Sequence, residues 1–123
     1  MKTLTVIITG ASTGIGRAIA ALFLEQGHNV VINAAHENNL ITAFNELGLH
    51  HQLAMVAGDI SNISTGKLLV ETAVARFGAV DVLVNNAGIF EAKPFLEVDE
   101  AYLDRFLNIN LKGTFFTTQA AIT

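Results

Sequence analysis

The chain has 123 residues, 51% of them hydrophobic, which is enough length and apolar content for one domain with a real core. Seven Lys and Arg against eleven Asp and Glu give a formal net charge of -4, and the basic residues stand singly, so the footprint of a nucleic-acid or anionic-lipid binder is excluded. There is no Cys, hence no disulfide and no thiolate metal site, and the apolar run near the N-terminus breaks at Gly10, too short for a membrane span; a soluble, cytoplasmic chain without a metal is the expectation.

Leu4–Thr9 is a short β-branched run with the composition of a strand buried on both faces, β1. It leads into Thr9-Gly10-Ala11-Ser12-Thr13-Gly14-Ile15-Gly16, after which Ile15, Ile19, Leu22 and Phe23 trace a helical stripe, α1, closed by Gly27. A strand, a glycine turn and a helix start form an anion-binding arrangement. Glycines allow a sharp turn and close backbone approach, and free N–H groups at the positive end of the helix dipole face a pyrophosphate. The spacing is Gly-x-x-x-Gly-x-Gly, neither the general dinucleotide fingerprint nor a P-loop, since no Lys follows the last glycine.

Val30–Ile32 is β2, followed by a polar break from Asn33 to Asn39 and a second stripe, Leu40, Ile41, Phe44 and Leu47, that makes α2 and stops at Gly48. Gln52–Ala57 is β3, ending at Gly58-Asp59. Ser64 is the predicted N-cap of α3, which carries Leu68, Leu69, Val74 and Phe77 and closes at Gly78; Val80–Val84 is β4. A helix that stops at a glycine shortly before a strand recurs along the chain, which is the rhythm of right-handed β-α-β crossovers. The predicted fold is therefore α/β, a Rossmann-type doubly wound parallel sheet with strand order 3-2-1-4. After Asn85-Asn86-Ala87-Gly88 a loop holds Pro94, and Asp99 or Glu100 opens a last helix, α4, running to about Ala121. Its stripe is Leu103, Phe106, Leu107, Leu111 and Phe115, with Ile109 and Phe116 off that face, so cover is expected on more than one side.

The glycine octet after β1, Asp59 after β3, Asn85-Asn86-Ala87-Gly88 after β4 and Asn110-Leu111-Lys112-Gly113 in α4 stand in the order of the short-chain dehydrogenase/reductase family, which the whole chain resembles. The 3-oxoacyl carrier-protein reductases are among the members it is similar to. The resemblance implies that Gly10, Ser12, Thr13, Gly14, Ile15 and Gly16 hold the phosphates and adenosine ribose of a nicotinamide dinucleotide. It implies that Asp59 contacts the adenine amino group, that Ile60 lines the ring, and that Asn86, Ala87 and Gly88 pass beside the adenine-side ribose. Asn110 matches an asparagine that supports a proton relay in the family.

In the family an acid just after β2 favours NAD(H); here that position is Ala34, with no Arg or Lys beside it. Thr13 stands where many NADP-dependent relatives carry a basic residue, while His36 can supply positive charge. The balance leans to NADP(H) over NAD(H).

Family chains run about twice this length, and the Ser and Tyr-x-x-x-Lys that carry their chemistry have no counterpart here. Tyr102 is followed four residues later by Phe106 rather than Lys, and no catalytic role is assigned to it. The resemblance thus implies an NAD(P)(H)-dependent oxidoreductase acting on a small carbonyl or alcohol, of which this is the cofactor-binding half, inactive by itself. The alternative is a non-catalytic dinucleotide-binding or self-assembling module. A bare apolar edge on β4, or the face of α4, predicts self-association.

Overall fold

A computed structural model of the chain describes residues 2–48, 50–89 and 92–122. β1 (Thr5–Ile8) pairs on one side with β2 (Asn29–Ala34) and on the other with β4 (Val82–Val84), while β3 (Leu53–Ala57) pairs with β2. All pairings are parallel and the order is β3-β2-β1-β4, as the alternation of strand and helix predicts.

The period of two along each strand sends alternate side chains to opposite faces. Val6, Ile8, Val30 and Ile32 pack against Ala20 and Leu24 of α1 (Gly14–Glu25) and Leu40 and Ala43 of α2 (Glu37–Leu47). Ile7, Val31, Ala54 and Val56 pack on the other face against Leu69 and Ala73 of α3 (Ile63–Phe77). With both faces covered, β1 is buried throughout, which is why it reads as an unbroken apolar run. The chain leaves β1 toward one face and leaves β3 toward the other, so the order reverses between β1 and β4. A crevice opens there beyond the carboxyl ends of the strands.

The start of the sheet is fastened separately. Thr5 N–H donates to Asp81 Oδ2 at 2.8 Å, Asp81 N–H returns a bond to Thr5 O at 2.9 Å, and Lys2 Nζ lies 3.5 Å from Oδ1. The Thr5 N–H, helped by Lys2, holds the Asp81 carboxyl below its ordinary value.

Several element boundaries differ from the sequence prediction. β2 runs to Ala34, through residues whose polarity predicted a break, because Asn33 is satisfied inside the sheet: its Nδ2 donates to Val56 O at 3.0 Å and Gly58 O at 3.2 Å. α2 accordingly begins at Glu37. The N-cap of α3 is Asn62 rather than Ser64, since the helix already begins at Ile63.

The last helix is not one rod. α4 (Glu100–Leu107) passes through a π-helical turn, Asn108–Gly113, into α5 (Thr114–Ile122). A π turn inserts one residue and rotates everything after it. Ile109, off the predicted stripe, packs into the core on the α3 face, and Gly113 and Thr117 are buried. Leu103, Leu107, Leu111 and Phe115 of the predicted stripe are instead between 42% and 64% exposed.

Candidate functional site

The carboxyl end of β1 is tied to that of β4. Thr9 Oγ1 accepts the N–H of Asn86 at 3.1 Å and of Ala87 at 2.9 Å, and Asn86 Nδ2 donates to Gly10 O at 2.8 Å. This contact leaves no room for side chains. At Gly10, where φ is 62°, a Cβ would lie 2.8 Å from Ala87 Cα; at Gly16 it would fall on Asn86 Nδ2 and lie 2.7 Å from Gly10 O. Two of the octet's glycines therefore have a packing reason of their own, besides any ligand.

Gly14, at φ 61°, opens α1 with nothing within 4 Å of where a Cβ would be. Thr13 occupies the N-cap in extended backbone, and its side chain caps nothing. The N–H groups of the first helical turn, from Gly14 to Gly16, make none of the described backbone bonds and so stay available to an anion at the positive helix end.

The ends of β2 and β3 form the opposite wall. Ala34 is 6% exposed and packs into the core on the α1–α2 side, whereas Ala35, His36 and Asn39 are exposed. His36 is the N-cap of α2, yet its ring makes no capping bond. Asp59 Oδ1 accepts from Ser61 N–H at 2.9 Å and Ser61 Oγ–H at 2.7 Å, and Asp59 O accepts from Thr65 Oγ1 at 2.7 Å. Asp59 is thus partly used in turning the chain from β3 into α3, and Ile60 beside it is buried.

The π turn supplies the remaining wall. Asn110 Nδ2 donates to Ile89 O and its Oδ1 accepts Ile89 N–H, both at 2.8 Å, so one amide side chain substitutes for a strand partner and fixes the segment after β4. Gly88 lies directly against Asn110 Oδ1.

These walls enclose a cleft of about 500 Å³, within the range of small-molecule sites. Of the residues predicted from sequence, Gly10, Ser12, Thr13, Ala34, His36, Asp59, Ile60, Asn86, Ala87 and Gly88 line it. Gly14, Ile15 and Gly16 stand beside it in the first turn of α1, with Ile15 74% exposed, and Asn110 braces Ile89 from behind. Tyr102 is not on its lining; its N–H donates to Asp99 Oδ1 at the start of α4, and its ring stacks on Phe106.

The cleft also includes Asn33, Ala35, Asn39, Gly58, Ile89, Arg105 and Ile109, none of which was predicted as a site residue. Their available signal was positional. Asn33 to Asn39 follows a strand end, and Arg105 and Ile109 are four apart on a helix.

A short chain dehydrogenase family profile matches residues 4–123. A diacetyl reductase [(S)-acetoin forming] of Staphylococcus epidermidis is 40% identical over 120 residues, covering 95% of this chain and 46% of that protein. An L-rhamnose 1-dehydrogenase (NAD(P)(+)) of a Sphingomonas species is 40% identical over 121 residues, covering 95% and 47%. Among solved structures, a short-chain dehydrogenase/reductase of Brucella melitensis superposes with a TM-score of 0.94 at 38% identity, covering 99% of this chain and 53% of that one. The 3-ketoacyl-(acyl-carrier-protein) reductase of the same organism, complexed with NADH, gives 0.87 at 33%, covering 94% and 48%. The chain spans about half the length of the curated relatives it matches. A parallel sheet of order β3-β2-β1-β4, a glycine turn feeding an uncapped helix start and a profile match from residue 4 onward agree: the chain belongs to the short-chain dehydrogenase family.

Proposed function

We propose that this chain holds the adenosine diphosphate part of NAD(P)(H) for an oxidoreductase acting on a small carbonyl or alcohol. The observation that carries the reading is the convergence of four strand ends and an uncapped helix N-terminus on one cleft. The nicotinamide dinucleotide supplies or accepts hydride. Backbone N–H groups of Gly14, Ile15 and Gly16, with the Ser12 and Thr13 hydroxyls, hold the diphosphate at the positive end of α1. Asp59 keeps a second carboxylate oxygen for the adenine amino group, Ile60 lines the ring, and Asn86, Ala87 and Gly88 back the ribose. Asn110 holds Ile89 in register, a positioning role. The lining fits this ligand: it is mostly small or apolar, and no acid stands at Ala34 to repel an added phosphate. For that reason NADP(H) is preferred over NAD(H), with His36 as the nearby source of positive charge.

Titration calorimetry of the folded chain with NADPH and NADH tests the reading. Saturable binding of both, tighter for NADPH, is expected; a flat response to both overturns it, and tighter NADH binding overturns the preference alone.

The 123 residues form one cofactor-binding domain of a cytoplasmic enzyme and do not reduce carbonyls unaided, since they hold no Tyr-x-x-x-Lys to deliver a proton. Turnover of a ketone panel with NADPH above background refutes this. Among the described residues no strand pairs with the outer edge of β4, and Leu107, Leu111 and Phe115 are exposed, so the chain self-associates through that edge or the α4–α5 face. Sedimentation as a monomer at high concentration overturns it. No helix among the described residues is long and apolar enough to cross a membrane.

A further inference from the structure

We propose that Arg105 lays its guanidinium on the purine ring of the bound dinucleotide and closes the outer side of the adenine slot. The inference rests on the dinucleotide reading above. Ile60 and Ile109 both line the cleft and both belong to the core on the α3 face, so together they form an apolar wall suited to a flat ring. Arg105 also lines the cleft, one helical turn before Ile109 and on the same side of the α4–π segment, which brings its side chain over the same slot.

Arg105 is exposed, and among the described residues its guanidinium makes no ion pair, hydrogen bond or ring contact. Asp59, the one carboxylate on the described lining, is bonded to Ser61 instead. Guanidinium is planar, delocalised and weakly hydrated, which suits it to an aromatic face better than an ammonium. The ribose side of the cleft is a different place. Ala34 belongs to the core on the α1–α2 face, with His36 following it, so a 2′-phosphate lies toward the opposite wall from Arg105.

The test compares wild type, Arg105→Ala and Arg105→Lys in titrations with NADH, NADPH and ADP-ribose, with thermal melts showing that each variant is folded. Arg105→Ala weakens all three ligands alike, by about three- to tenfold, and Arg105→Lys restores less than half of the loss on a logarithmic scale. Unchanged binding in Arg105→Ala overturns the proposal. A loss confined to NADPH overturns it in favour of a 2′-phosphate contact, and full rescue by Lys overturns the stacked geometry. A wild type that binds none of the three overturns the dinucleotide reading itself, an outcome distinct from the others.

Discussion

β1 and β4 are neighbours of nearly the same composition, Thr-Val-Ile-Ile against Val-Leu-Val, yet every residue of β1 is buried and no residue of β4 is. Cover accounts for the difference. β1 has strands on both sides and helices over both faces, whereas β4 is paired only to β1 among the described residues. Strand hydrophobicity thus reports what a segment can bury, and its neighbours decide what it does bury. The cleft joins the two regimes. Its loop after β4 is held from the enclosed side, through Thr9 and Gly10, from the Asn110 clamp, and by the Asn86 N–H on Val84 O.

Gly10→Val should break the comparison most severely. It places a β-branched side chain at positive φ, 2.8 Å from Ala87 Cα, and a loss of about 3 kcal/mol or more in denaturant unfolding is expected, with the enclosed side destabilised too. Thr9→Val leaves the Ala87 N–H without its acceptor and takes one of two acceptors from the Asn86 N–H, which keeps Val84 O at 3.1 Å, at a cost of about 1–3 kcal/mol. Hydrogen exchange should then speed up at Asn86 and Ala87 well before it does in β1; uniform acceleration would show that the two regions are one cooperative unit. Asn110→Leu removes both bonds to Ile89 and should cost about 1–2 kcal/mol, read as faster exchange at Ile89 with β1–β3 unchanged.

The smallest effect is at Asp81. Its carboxyl is held below the ordinary value in the fold, so the native state binds fewer protons than the unfolded chain in that range. The contribution is fully present above the unfolded value and is lost as pH falls through the folded one. Wild type should exceed Asp81→Asn slightly in stability at pH 6, and the gap should begin to narrow below about pH 4 and close once the pH is under the lowered folded value. A gap that persisted at low pH would deny the carboxylate that role.

The parallel sheet and its order were legible because periodicity and glycine stops are local signals, and the octet and Asn85–Gly88 were legible as motifs. What lay beyond reach depended on distant partners. Asn33 read as the start of a polar break, since nothing near it in sequence reveals that Val56 O and Gly58 O accept its amide. The stripe from Leu103 to Phe115 assumes a uniform helical period, and the π turn over Asn108–Gly113, an insertion of one residue, breaks that phase, so Phe115 beyond it stays exposed while Ile109 within it packs inward. Arg105 carries no signal in the sequence, because an arginine on an amphipathic helix is ordinary until the cleft beside it is known.

Asn86 has space for its amide only because residue 16 has no side chain, so the two positions share a single volume. Anyone reshaping this pocket meets the coupling in one direction: a methyl added at 16 collides with the Asn86 amide and separately with Gly10 O, so a smaller group at 86 relieves only the side-chain half of the conflict and the backbone half still has to move.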